Sequence, residues 1–100
     1  MTDVTVGLLV ALEAKEGKEQ ALADFLERAL PLVEAEPETV SWFAYRIDAS
    51  RFGIFDVFGR KSGRDAHLNG PIAEALLAKA DELLASPPSI EPVDVLAAKL

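Results

Sequence analysis

The stretch TVSWFAYRIDASRFGIFDVF, residues 39–58, decides how the rest of the chain is read. It holds every aromatic residue of the protein except Phe25. Aromatic and β-branched residues dominate two arms, and the break between them, Asp48-Ala49-Ser50-Arg51, is short and polar, which predicts a β-hairpin. An even loop of two or four residues pairs Ile47 with Phe52, Tyr45 with Ile54 and Phe43 with Asp56. Alternation then puts Ser41, Phe43, Tyr45, Ile47, Phe52, Ile54, Asp56 and Phe58 on one face, and Trp42, Ala44, Arg46, Phe55 and Val57 on the other. Both faces are largely apolar. A sheet with one wet face alternates apolar with polar, so this one is expected to be covered on both sides.

Before the hairpin, Val4, Val6, Leu8, Val10 and Leu12 alternate with Thr5, Gly7, Leu9 and Ala11, which predicts a first strand over residues 3–13. Gly7 marks a bulge, a close approach by another group, or simply a tight spot filled by a small residue. Gly17 is placed as the N-cap of a helix whose apolar stripe is Ala21, Leu22, Phe25, Leu26, Ala29, Leu32 and Val33. Pro31 removes a backbone donor near its end, and Pro37 stops it. The acidic residues 34–38 read as solvated surface.

After the hairpin, Ser62-Gly63-Arg64-Asp65 has the form of a capping box opening a short helix that carries His67 and Leu68. Arg64 reads as a solvated first-turn residue. Gly70 ends this helix and Pro71 begins another, with Ile72, Leu76, Ala80, Leu83 and Leu84 as its stripe. Ser86-Pro87-Pro88 and Pro92 then lead to a last strand over residues 93–99. The order is β-α-β-β-α-β, an α+β ferredoxin-like arrangement of one domain over residues 1–100 with a four-stranded antiparallel sheet. Its helices cover only one face of the sheet. The other face is expected to pack on a second copy, with Trp42 and Arg46 at that interface.

Composition narrows the function. The formal charge is −7 and the Lys and Arg residues are scattered, which argues against nucleic acid or an anionic membrane as partner. The chain has no cysteine and one histidine, so thiolate chemistry is excluded and a clustered first-row metal site has no ligand set. No apolar run is long enough for a leader or a membrane span, which predicts a soluble cytoplasmic protein. Phosphate loops and nucleophile-elbow patterns are absent from the sequence.

Three segments together, VGLLVALEAKEGKE, the pair WFAYRI and RFGIFDVF, and GRDAHLNG, resemble the antibiotic biosynthesis monooxygenase family of dimeric α/β-barrel proteins over essentially the whole chain. The resemblance implies a homodimer whose two sheets close into a barrel, with a ligand cleft between sheet and helices in each subunit. It includes cofactor-free monooxygenases acting on phenols or quinol-like compounds, and haem-degrading enzymes. Asp56, Phe58, Tyr45 and His67 fall where relatives carry an acidic residue, a Trp, a Tyr and a His. Asp stands for the commoner Glu and Phe for Trp, and the first strand lacks the Asn of the haem-degrading relatives.

Tyr45 and Asp56 share the face assigned to the helices with Phe43, Phe58 and Ser41, and His67 follows close behind. Polar groups converging in an apolar cleft are the usual form of a small-molecule site. Such a site suits oxidation of an electron-rich phenol or hydroquinone by dioxygen, with electrons from the substrate and no cofactor. His67 or Asp56 would be the base, Tyr45 would orient the substrate oxygen, and Phe43, Phe58 and Ser41 would line the cleft. The alternative is a non-catalytic dimeric binding protein, with Asp56 accepting a bond from His67 or Tyr45 only to satisfy buried polarity.

Overall fold

The computed structural model describes residues 3–100. Its elements are β1 (Val6–Glu13), α1 (Glu19–Glu34), β2 (Thr39–Arg46), β3 (Arg51–Phe58), α2 (Lys61–Leu68), α3 (Pro71–Leu83) and β4 (Ser89–Asp94). The strands form one sheet in the order β2-β3-β1-β4, each pair of neighbours antiparallel. β1 and β2 therefore run parallel with β3 between them, the split βαβ topology of the ferredoxin-like class.

Period-two burial along β1 locates the core. Leu8, Val10 and Leu12 are buried and stand opposite Asp56, Ile54 and Phe52 of β3, so these six share one face. The helices lie on that face: Leu22 and Leu26 from α1, with Leu76 and Leu83 from α3, join the same cluster. A smaller cluster of Ala29, Val33 and Ile72 ties α1 to α3, and Trp42 packs against both.

Several local expectations are corrected. β1 starts at Val6, not at residue 3. Lys18 is the N-cap of α1, while Gly17 turns the chain at φ 84°, a region that disfavours a Cβ. As expected, α1 continues past Pro31 and ends at Glu34, before Pro37, since a proline this near the end costs one helical bond. Ser62 lies inside α2 and the expected capping box does not form. β4 covers Ser89–Asp94 instead of residues 93–99. It is an edge strand, where Pro92 is tolerated because an outward-facing N–H has no ladder partner to lose.

The hairpin register also differs by one residue, and the cause is Asp48. Ile47 N–H donates to the Arg51 carbonyl at 2.8 Å, which leaves a three-residue loop of Asp48, Ala49 and Ser50. Asp48 Oδ1 accepts from the backbone N–H groups of Ser50 (3.1 Å) and Arg51 (2.9 Å), and Oδ2 accepts from Arg51 Nε at 2.7 Å. The Arg51 side chain and these amides hold the Asp48 carboxyl below its usual range. An odd loop pairs Arg46 with Phe52, Ala44 with Ile54, and Trp42 with Asp56. It turns Ser41, Phe43 and Tyr45 to the face away from the helices.

That second face carries Leu9, Phe43, Phe55 and Tyr45, with Phe43 60% exposed. The Tyr45 ring lies over Gly53, where it occupies the place a side chain would take. On the same face a Cβ at Gly7 would lie 2.6 Å from the backbone oxygen of Asp56. Gly7 is therefore required by a close backbone approach and not by a bulge. Gly7→Ala should lower urea-denaturation stability by about 1–3 kcal/mol, the usual cost of overpacking. Gly53→Ala should cost less, because the Tyr45 ring can swing aside and a ladder carbonyl cannot; equal losses would contradict this account.

Candidate functional site

Asp56 stands mid-strand on β3, opposite Leu8 on one side and Trp42 on the other, and is 1% exposed. Two residues further along β3 is Phe58, fully buried beneath α2. α2 returns across the sheet and sets His67, in its last turn, over this pair. The His67 ring is tilted 46° to the Phe58 ring with centroids 5.4 Å apart. Its Nε2 is 3.1 Å from Asp56 Oδ2.

The opposite ring nitrogen meets a second carboxylate. His67 Nδ1 is 2.6 Å from Glu36 Oε1, and the Thr39 hydroxyl donates to that same oxygen at 2.7 Å. Glu36 lies in the connection between α1 and β2. Thr39 reaches it because an irregularity between Thr39 and Ser41 places Thr39 opposite Phe58. Burial works against a charged imidazole, but contacts with Asp56 and Glu36 outweigh it, so the His67 pKa is raised above its ordinary 6.5.

Asp56 differs from Glu36 in what surrounds it. Both its carboxylate oxygens are buried, and apart from His67 Nε2, 3.1 Å from Oδ2, neither has a hydrogen-bond donor among the described residues. Buried polar atoms are nearly always paired, so a carboxylate with one neighbour for its two oxygens has room for a further donor. Beside it is a cavity of about 160 Å³ lined by Leu8, Ile54, Leu76 and Leu77, with Ile90 and Leu68 at its sides and Asp56 and His67 as its polar groups. The indole Nε1 of Trp42, on the strand next to Asp56, is likewise buried and unpaired.

Of the residues predicted from sequence, the structure brings together His67, Asp56 and Phe58. It separates Tyr45, Phe43 and Ser41 from them, since the one-residue change of register sends those three to the opposite face. Phe43 and Tyr45 border a different groove at the outer edge of β2, about 530 Å³ in volume, with Leu26, Leu30, Trp42 and Phe52. Trp42 and Arg46 change faces in the opposite sense. Arg46 stacks 4.8 Å over Phe52 and donates to the carbonyls of Asp48 (3.1 Å) and Ala49 (2.9 Å), so it is not an interface residue of the open face.

Glu36 was read from the sequence as solvated surface, because an acidic run in a connection has no periodicity to single out one member. Only its position three residues before Thr39 offered a local signal. Arg64 is not a solvated first-turn residue either: its Nη1 donates to the Gly7 and Val93 carbonyls, each at 3.3 Å, and ties α2 to β1 and β4. Among the described residues, no helix is long and apolar enough to cross a membrane.

The chain has the fold of the antibiotic biosynthesis monooxygenases. A candidate enzyme of that name from Nitrosomonas europaea superposes with a TM-score of 0.82 at 15% identity, over 92% of this chain and 99% of that one. Another from Caulobacter crescentus gives 0.81 at 15% identity, over 96% and 93% of the two chains. At such identity the likeness is one of fold. More particularly, the chain belongs to one family with NE2512, a protein of unknown function from Nitrosomonas europaea: 56% identical, TM-score 0.97, over 100% of this chain and 97% of that one. No protein-family model and no curated protein matches it.

The raised pKa gives His67 a signed effect on stability. Its folded value lies above the unfolded 6.5, so its contribution is complete below about pH 6.5 and is lost as pH rises through the folded value. The stability advantage of the unaltered protein over His67→Gln, read from urea unfolding, should therefore shrink as pH rises above that point. An advantage that grows with pH would mean the ring is held neutral by burial.

Proposed function

We propose that the Asp56–His67 cavity binds one small aromatic ring bearing a hydroxyl, and that the protein is a cofactor-independent monooxygenase oxidising such a phenol or hydroquinone with dioxygen. The observation that carries this reading is the buried Asp56 carboxylate, which among the described residues has no neighbouring donor but His67 Nε2 and borders an apolar cavity. Its volume, about 160 Å³, is close to the roughly 150 Å³ cavity known to hold benzene. An apolar compound with one hydroxyl donor supplies the bond Asp56 lacks. A polycyclic ring system exceeds that space.

For a hydroquinone the balance is simple. One oxygen atom of O2 enters the ring, the other leaves as water, and the substrate supplies all the electrons while becoming a hydroxyquinone. In this reading Asp56 accepts the hydroxyl proton, His67 supplies through Asp56 a proton to the departing peroxide oxygen, and Phe58 supports the His67 ring. The dry walls keep the phenolate and the peroxide from bulk water. The antibiotic biosynthesis monooxygenase fold supports the reaction class, and the lining supports the choice of ligand.

The open sheet face belongs to the same proposal. Leu9, Phe43, Ile47 and Tyr45 are exposed there and at its hairpin end, a grouping that monomers rarely leave to water. We assign it to a second copy, which makes the working unit a homodimer. Sedimentation should show a dimer that Phe43→Asp converts to monomer; a monomeric unaltered protein would rule the pairing out.

Oxygen uptake with a panel of single-ring hydroquinones tests the activity directly. Turnover is expected, with Asp56→Asn reducing kcat/KM by roughly 100-fold or more, the span a positioned proton acceptor contributes. Binding of the same compounds without oxygen uptake would make this a binding protein. Undiminished uptake by folded Asp56→Asn would remove Asp56 from the chemistry.

A further inference from the structure

Glu36 has no part in the chemistry above, yet it is bound more closely to His67 than Asp56 is, at 2.6 Å against 3.1 Å. Its surroundings fix it in place. The Thr39 hydroxyl donates to its Oε1, and its backbone N–H donates to the Val33 carbonyl at 2.9 Å. α2 lies directly on this connection. A Cβ at Gly63 would come within 3.0 Å of Glu38 Cβ, and one at Gly70 within 3.5 Å of Glu36 Oε2. The tight contact is at Gly63, whose missing side chain lets the helix lie close to the connection, while the contact at Gly70 is an ordinary one.

Accessibility falls in steps along the line. The side chain of Glu36 is 18% exposed, that of His67 8% and that of Asp56 1%, and beyond Asp56 lies the cavity. With a ligand seated in the cavity, whose lining includes the exposed Leu77 and Ile90, the buried Asp56 reaches water through a chain of titratable groups, and here one exists. We propose that Glu36 is the solvent-side end of a proton path running through the two nitrogens of His67 to Asp56. The proposal rests on the preceding assignment of Asp56 as the group that takes the substrate proton.

The steps balance. The substrate O–H bond breaks as an Asp56 O–H bond forms. Asp56 passes that proton to Nε2 while Nδ1 releases its own to Glu36 Oε1, and Glu36 gives it up to water. One proton has entered the ring and one has left, and the neutral imidazole has exchanged tautomers. The inward run, from water to Glu36 to Nδ1 and from Nε2 to Asp56 to the peroxide, restores the first tautomer. Deprotonation and reprotonation in one turnover thus reset the ring without its rotation. Glu36 touches neither substrate nor oxygen and acts through His67 as a relay.

The test separates a conducting carboxylate from one that only holds the ring. Exchange of the His67 ring protons with water, followed by NMR on protein labelled with 15N at histidine, needs no substrate. At equal ring protonation, Glu36→Gln should slow this exchange by about the 100-fold that a positioned proton-transfer group contributes. Glu36→Ala should slow it likewise, and added formate, fitting beside Nδ1, should restore it in proportion to concentration. Exchange unchanged in Glu36→Gln, or slowed in Glu36→Ala without response to formate, would overturn the relay. If Glu36→Ala does not fold, the near-isosteric Glu36→Gln decides alone. In oxygen uptake the relay predicts a fall in kcat with little change in KM, again relieved by formate. Absence of turnover with intact formate-dependent exchange would defeat the proposed activity and leave the path standing.

Discussion

A carboxylate placed mid-strand under a helix must meet either a cation or a ligand, because leaving it bare in an apolar layer costs several kcal/mol. Asp56 meets both demands halfway. His67 Nε2 approaches one of its oxygens to 3.1 Å, and among the described residues the other has no donor. The ring stays there because Glu36 takes its other nitrogen and Phe58 supports it from below. This contact joins the sheet, the connection after α1, and α2, so polar bonds from Arg64 and His67 add to the packing of Leu68 in positioning the short helix. Arg64 secures one end on β1 and β4, and His67 secures the other.

The layering follows from the same arrangement. With α1, α2 and α3 all on one side of the sheet, that side acquires the core and the cavity, while the other keeps Phe43, Leu9 and Tyr45 in contact with solvent. Gly7 and Gly53 permit the close approaches that this second face contains. Its apolar character is what the proposed second copy would require, and the proposed pairing and the proposed ligand cavity involve different residues. That division fits the fold shared with the antibiotic biosynthesis monooxygenases, in which similar architecture accompanies low sequence identity.

A single carboxylate decides which side chains enter the pocket. Asp48 binds two loop amides and the Arg51 side chain, which closes the hairpin with three residues instead of an even number. Because side chains alternate with period two, that one residue moves Tyr45 and Phe43 out of the helix side and brings Trp42 in. The result is a drier chamber than one containing the tyrosine hydroxyl, and Asp56 has fewer partners within the chain.

Periodic features were legible in the sequence by itself. The strands, the amphipathic helices, the Pro71 helix start and the ferredoxin-like order all follow from alternation and helical spacing, which are local properties of the chain. Asp56 and Phe58 could be found because alternation puts them on one strand face, where a carboxylate among apolar neighbours is conspicuous, and His67 because its segment resembles that of the monooxygenase family. The loop parity, the partner of His67 and the fate of Arg64 were decided only by tertiary structure. Each depends on one hydrogen bond between groups that no periodicity relates: Asp48 to a loop amide, Glu36 to a ring 31 residues away, Arg64 to carbonyls on two strands. Such bonds cost little to form once the apolar layers bring the groups together, and before that nothing in the sequence distinguishes them from solvated charges.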